Sequence, residues 1–143
     1  MRNRMKKAFT LVEILIVVVI LGILAAIVVP QFTNATEDAQ AGNLKTQLSS
    51  LQNQIELYKA RTNAYPDLAT TGWDLLIDPN GDGNFDDGYI KEAPKNPAAP
   101  SGVQTTIGTA HAATCGWVYD STTGKLEATY FDASTGKITP GTP

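Results

Sequence analysis

The sequence predicts an α+β fold in which one long amino-terminal helix, membrane-spanning in its first half and amphipathic in its second, packs on a small antiparallel β-sheet head. Three observations predict it. Residues 9–29 are apolar apart from Thr10 and Glu13. Leu44, Leu48, Leu51, Ile55 and Tyr58 then recur at spacings of four and three, with Ala41 extending the stripe backward, as one face of a helix requires. Finally, two similar segments, Tyr119–Leu126 and Phe131–Ile138, each read as an aromatic strand end, a polar Gly-containing turn and a returning strand.

The apolar run comes first. A helix of this length is about 31 Å long at 1.5 Å per residue, which matches the hydrocarbon core of a bilayer. Arg2, Arg4, Lys6 and Lys7 precede it with no acid among them, so the positive-inside rule places that end in the cytoplasm and the rest of the chain outside the inner membrane. A cleaved secretory signal ending at Leu24-Ala25-Ala26 and an uncut signal anchor share this pattern. Neither gives a reason for Glu13. An acid at the centre of a membrane helix costs on the order of 2.5–3.5 kcal/mol, and less near its end. One turn from the helix start, the positive end of the helix dipole offsets part of that cost.

After Pro30 the pattern becomes amphipathic, with Lys45, Gln47, Gln52, Asn53, Gln54, Glu56 and Lys59 assigned to a solvated face. Asn63 and Tyr65-Pro66 stop the helix near residue 61. Residues 62–114 are expected to be a loop region, with 93–114 rich in Ala, Thr, Gly and Pro. Strands are expected at 115–120, 125–131 and 136–139, an antiparallel meander that covers the apolar stripe of the helix.

Charge and composition exclude several functions. The net charge of −3 is the sum of a basic start and an acidic body: without the first four cations, seven Lys/Arg face fourteen Asp/Glu over residues 9–143, a balance of −7. Such a body does not suit phosphate-backbone binding, so no nucleic-acid partner is expected. The chain contains no nucleophile elbow, phosphate-binding glycine loop, CxxC pair or histidine cluster. His111 is the only histidine and stands among Thr and Ala residues, so no catalytic residue and no enzymatic role are expected. Cys115 is the only cysteine, so no intrachain disulfide forms; it is expected to be a small buried apolar residue.

The acidic stretch Asp78-Pro79-Asn80-Gly81-Asp82-Gly83-Asn84-Phe85-Asp86-Asp87-Gly88 sets oxygen side chains at loop positions 1, 3, 5, 7 and 9, with Gly83 at the sharp-turn position 6. This alternation suits calcium, which takes six to eight oxygens. Position 12 is Tyr89 where a calcium loop of this kind has Glu, leaving Asp87 or Glu92 to complete the set. The candidate ligands are Asp78, Asn80, Asp82, Asn84, Asp86 and Asp87. The same residues also favour plain Asn-Gly and Asp-Gly turns.

Lys6-Lys7-Ala8-Phe9-Thr10-Leu11-Val12-Glu13 resembles the processing site of the type IV pilin and type II secretion pseudopilin family. The resemblance implies a leader at residues 1–8, cut by a prepilin peptidase between Ala8 and Phe9, and methylation of the new Phe9 amine. The family usually has glycine where this chain has Ala8. It also implies a membrane and filament-core helix at 9–33, a globular head at 34–143, and assembly of identical and related subunits on an inner-membrane platform. Glu13 then has a role: pairing with a Phe9 amine, in its own or the next subunit, sets the axial register of assembly. Gly22 and Pro30 match positions between which related fibres melt and extend, although both residues are also frequent in ordinary membrane helices. Ile55–Arg61 with Asn63–Pro66, and Tyr89–Pro97, are similar to segments of major pseudopilins. These favour a periplasmic secretion filament; a surface pilus pilin for adhesion, motility or DNA uptake is the nearest alternative, and a secreted calcium-binding module the alternative from another class.

Overall fold

A computed structural model of the chain describes residues 9–139. The expected leader, with Ala8 and its four basic residues, lies outside the described residues. The first element, α1, is a 52-residue helix, Leu11–Thr62, and it continues through Pro30 without interruption. The chain forms two compact units that divide between Thr36 and Glu37.

In the first unit every side chain from Phe9 to Thr36 is exposed. An 18-residue window of α1 has a mean hydropathy of 3.3 and none of it is buried by the chain itself. The helix is therefore long and apolar enough to cross a membrane, and among the described residues nothing covers its apolar surface.

The second unit is built on the rest of α1. Ala41, Leu44, Leu51 and Ile55 are buried, with Leu48 and Tyr58 packed partly against the same core, which is the stripe the periodicity predicts. The helix ends at a left-handed Asn63 (φ 60°), whose N–H donates to the Lys59 carbonyl at 2.7 Å. Asn tolerates this conformation well, and Pro66 cannot resume the helix. Two short helices, α2 (Leu68–Thr71) and α3 (Asp74–Ile77), bring Leu68, Trp73 and Leu76 into the core. Trp73 meets Trp117 edge-to-face, with centroids 5.9 Å apart. Their indole N–H groups donate to the Thr105 and Pro94 carbonyls at 2.7 and 3.0 Å, so both rings are buried without an orphaned donor.

The sheet departs from the expected meander. There are two small sheets among the described residues: β1 (Ile107–Gly108), β2 (Trp117–Asp120) and β3 (Lys125–Ala128) form one, and β4 (Phe131–Asp132) and β5 (Lys137–Ile138) the other. The β2–β3 pair is antiparallel, with Trp117 opposite Ala128 and Tyr119 opposite Leu126. β1 pairs with β2 in parallel, so part of the expected loop is a strand. The expected strand 125–131 breaks because Tyr130 is left-handed (φ 59°). Beside it, the buried Thr129 hydroxyl donates to the Cys115 and Gly116 carbonyls.

Two polar side chains hold the head together. Asn96 is fully buried; its Nδ2 donates to the Gly116 and Thr129 carbonyls at 2.7 and 2.8 Å, and its Oδ1 accepts from the Ala98 N–H at 2.9 Å. It thereby ties the loop after α3 to the strands. Gln52, expected on the solvated face of α1, is half-buried instead. Its Nε2 donates to the Gly124 carbonyl at 2.8 Å and its Oε1 accepts from the Leu126 N–H at 3.2 Å. The amide thus satisfies the outer edge of β3 as a neighbouring strand would. Cys115 is buried, as expected.

Candidate functional site

The start of α1 is closed by a reciprocal cap. The Glu13 N–H donates to Thr10 Oγ1 at 3.2 Å, while Glu13 Oε2 accepts from both the Thr10 N–H and the Thr10 hydroxyl at 2.8 Å. This is a capping box: two N–H groups that the helix itself leaves unpaired are satisfied by Thr and Glu three residues apart. Sequence reasoning missed this cap, although the Thr-x-x-Glu spacing was there to signal it; the cap adds a local role to the assembly role expected of Glu13. Among the described residues, Glu13 Oε1 accepts no hydrogen bond. Phe9, Ile14, Ile16 and Val17 line an open apolar recess of about 340 Å³ beside the carboxylate. Phe9 itself is 80% exposed. The geometry therefore leaves one face of an acid open in an apolar setting, where an approaching ammonium gains most and an unpaired charge costs most.

Gly22 and Pro30 lie on the exposed part of α1. A Cβ added at Gly22 would meet nothing within 4 Å, so nothing in the chain's own packing requires glycine there. Pro30 supplies no N–H to the Ala26 carbonyl, yet the helix is continuous across it.

The acidic loop is braced from within. Asp78 Oδ1 accepts from the Gly81 and Asp82 N–H groups at 2.8 and 3.2 Å, and its Oδ2 accepts from the Gly83 N–H at 2.9 Å. Asp82 Oδ1 accepts from the Asn84 N–H, and Asn84 Oδ1 from the Asp86 N–H, capping a 3₁₀ turn at Phe85–Asp87. Gly83 turns with φ 77°, a conformation that side chains disfavour. The Asn80 amide donates to Asp87 Oδ2, while Asp87 Oδ1 is buried without a partner. The six candidate ligands share one loop, but three of them spend oxygens on backbone N–H groups. Among the described residues no three His, Cys, Asp or Glu side chains gather in a metal-holding group.

Sequence reasoning also missed a polar cluster. Glu127 receives Lys125 Nζ at 2.6 Å and His111 Nε2 at 3.5 Å. The ammonium of Lys125 holds the Glu127 carboxyl below its usual range, and the carboxylate in turn raises Lys125. His111 comes from a distant segment, so no local spacing signalled the contact.

Comparison with known proteins returns to the same features. The family profile described as the prokaryotic N-terminal methylation motif matches residues 3–29. The profile of type II secretion system protein G matches residues 31–103. The type II secretion system core protein G of Aeromonas hydrophila is 36% identical over 102 residues, covering 68% of this chain and 71% of the relative. That of Pseudomonas aeruginosa is 38% identical over 101 residues, with 68% and 71% covered. That of Vibrio cholerae is 37% identical over 100 residues, with 67% and 68% covered. No solved structure matches significantly. A capped, unburied apolar helix that carries the methylation motif and continues into a matching head places this chain in the type II secretion system protein G family.

Proposed function

We propose that this chain is a structural subunit, a pseudopilin, of the filament of a type II secretion system, and that its role is assembly and not catalysis. The observation that supports this most is the first half of α1. Among the described residues nothing buries its apolar surface, and its first turn carries Glu13, bonded to the capping Thr10 through one oxygen with the other open. A membrane satisfies that surface before assembly and neighbouring copies satisfy it afterwards. Prepilin peptidase cuts between Ala8 and Phe9 and the new Phe9 amine is methylated. That cation, in the same or the next subunit, pairs with Glu13. The head then faces the periplasm, and the inner-membrane platform extracts each subunit into the growing fibre. The match to protein G over residues 31–103 supports the secretion filament over a surface pilus.

Amino-terminal sequencing and mass determination of the mature chain test the processing step. Methylated Phe9 is expected, and a terminus near Ile27 would overturn the reading. Glu13→Ala is expected to leave cleavage largely intact while fibre yield collapses; normal fibres from that variant refute the pairing.

Calcium binding at Asp78–Gly88 is a second proposal, supported by the unpartnered buried oxygen of Asp87 and by the exposed carboxylates of Asp82 and Asp86 on the same loop. Because no three acids gather there, binding requires the loop to exchange backbone hydrogen bonds for the ion. Calorimetric titration of the full chain in detergent decides it: binding heat and a raised melting temperature are expected, and neither appears if the loop is only a turn.

A further inference from the structure

Asn80-Gly81 is the only Asn-Gly pair in the chain. Asn is among the thermolabile residues, and a following Gly makes it more so: the Gly nitrogen carries no bulky neighbour to hinder its attack on the Asn side-chain carbonyl carbon. Both residues are exposed, and a Cβ built on Gly81 would meet nothing within 4 Å, so neither burial nor crowding shields the pair.

Two hydrogen bonds shield it instead. The Asn80 amide nitrogen donates to Asp87 Oδ2; a carboxylate only accepts, which fixes the end of the amide that faces it. The Gly81 N–H donates to Asp78 Oδ1 at 2.8 Å. Both anchors are themselves held. Asp78 also accepts from the Asp82 and Gly83 N–H groups. Asp87 is half-buried beside Gly88, where an added Cβ would overlap the Ile77 carbonyl.

Attack requires the Gly81 nitrogen to give up its proton and to meet Asn80 Cγ. Asp78 opposes the first step, because its carboxylate holds that proton and disfavours a second negative charge 2.8 Å away. Asp87 opposes the second, because moving Cγ onto the Gly81 nitrogen pulls the amide off that carboxylate. We propose that Asn80 is a latent deamidation site which the braced loop keeps closed, and that opening of the loop converts the Asn80 amide to a carboxylate. The bond from the Gly81 nitrogen to Cγ forms, the Cγ–Nδ2 bond breaks, and Nδ2 leaves as ammonia with the Gly81 proton. Water then opens the cyclic imide at either carbonyl to give aspartate or isoaspartate, with no oxidant or reductant consumed. The product sets a second carboxylate opposite Asp87, so the original hydrogen bond cannot re-form and like charges hold the loop apart. The change is one-way.

The test follows aspartate and isoaspartate at position 80 by peptide mapping of the full chain in detergent, with a chelator present so that no metal ion rearranges the loop. The folded wild-type chain is expected to convert about ten-fold more slowly than the same chain unfolded in urea, the scale of one charge-assisted hydrogen bond. Equal rates overturn the proposal without recourse to any variant. Asp87→Ala, checked for folding by its melting temperature, is expected to recover most of that acceleration, while Asp87→Asn, which keeps an acceptor oxygen, is expected to stay near wild type. A folded Asp87→Ala chain that converts as slowly as wild type overturns the shielding by Asp87. In urea, Gly81→Ala is expected to slow conversion because its methyl group hinders the imide, and an unchanged rate overturns the route. The filament reading stands or falls separately from each of these outcomes.

Discussion

Replacing Asn96 with alanine tests the idea that one buried amide ties the long loop to the strands. The amide makes three hydrogen bonds: two from Nδ2 to the Gly116 and Thr129 carbonyls and one from the Ala98 N–H to Oδ1. The Gly116 carbonyl keeps other donors, because it also accepts from the N–H and hydroxyl of Thr129. The Thr129 carbonyl and the Ala98 N–H lose the partners they have here. An orphaned buried polar group costs about 1–3 kcal/mol; the Thr129 carbonyl is enclosed and the Ala98 N–H half-buried, which places the variant at about 2–3 kcal/mol less stable. With a urea dependence of about 1.5–3 kcal/mol per molar, the unfolding midpoint of the full chain in detergent drops by about 1–2 M. Asn96→Asp sharpens the test. One carboxylate oxygen still accepts from Ala98, but the other faces two carbonyl oxygens, which raises the acid's pKa above its unfolded value near 3.9. A raised folded pKa contributes stability at low pH that is lost as pH climbs through it, so this variant is expected to be least stable at neutral pH and to recover on acidification. A midpoint within about 0.3 M of wild type for Asn96→Ala, a loss of only some 0.5–0.9 kcal/mol on that urea dependence, would refute the assigned role.

Three further outcomes are expected. Gly124→Ala places a methyl group against the Tyr65 ring at φ 71°, combining left-handed strain with overpacking; thermal melting is expected to show a loss of about 2–4 kcal/mol. Tyr119→Phe removes a hydroxyl that is buried without a partner and whose phenol burial pushes to about 12; denaturant titration is expected to show unchanged or slightly raised stability, and a clear loss would reveal an unseen partner. Asp132, held to about 2 by the Ser134 and Thr135 hydroxyls and N–H groups, has a depressed folded pKa. Its contribution is present above the unfolded value and is lost as pH falls toward 2, so Asp132→Asn is expected to flatten the acid limb of a pH–stability curve in that window.

Much of this was legible because it is local. The membrane-length run, the Ala41–Tyr58 stripe and the helix stop near Asn63 follow from periodicity and breakers, and each appears where those signals put it. The Thr10–Glu13 capping box is equally local, two partners three residues apart, and its spacing was a signal that sequence reasoning passed over. The β arrangement was not legible. Alternating strands imply pairing but not which edge is paired, and β1 joins β2 across the intervening loop. Likewise the left-handed turn at Tyr130 has no sequence signature, since Tyr rarely adopts it without a surrounding structure to hold it.

The sequence by itself therefore determined the long helix, its unpartnered apolar half, the acid beside Phe9 and the membership that these announce. Only the tertiary structure decided the roles of Gln52 and Asn96. Both are polar residues that composition assigns to solvent or loop, and both are instead enclosed because strands and helix leave backbone groups that an amide can satisfy. It also decided that the acidic stretch is a braced loop, and that His111 and Lys125 meet at Glu127. Those contacts depend on segments far apart in the chain, and no local pattern encodes a distance between them.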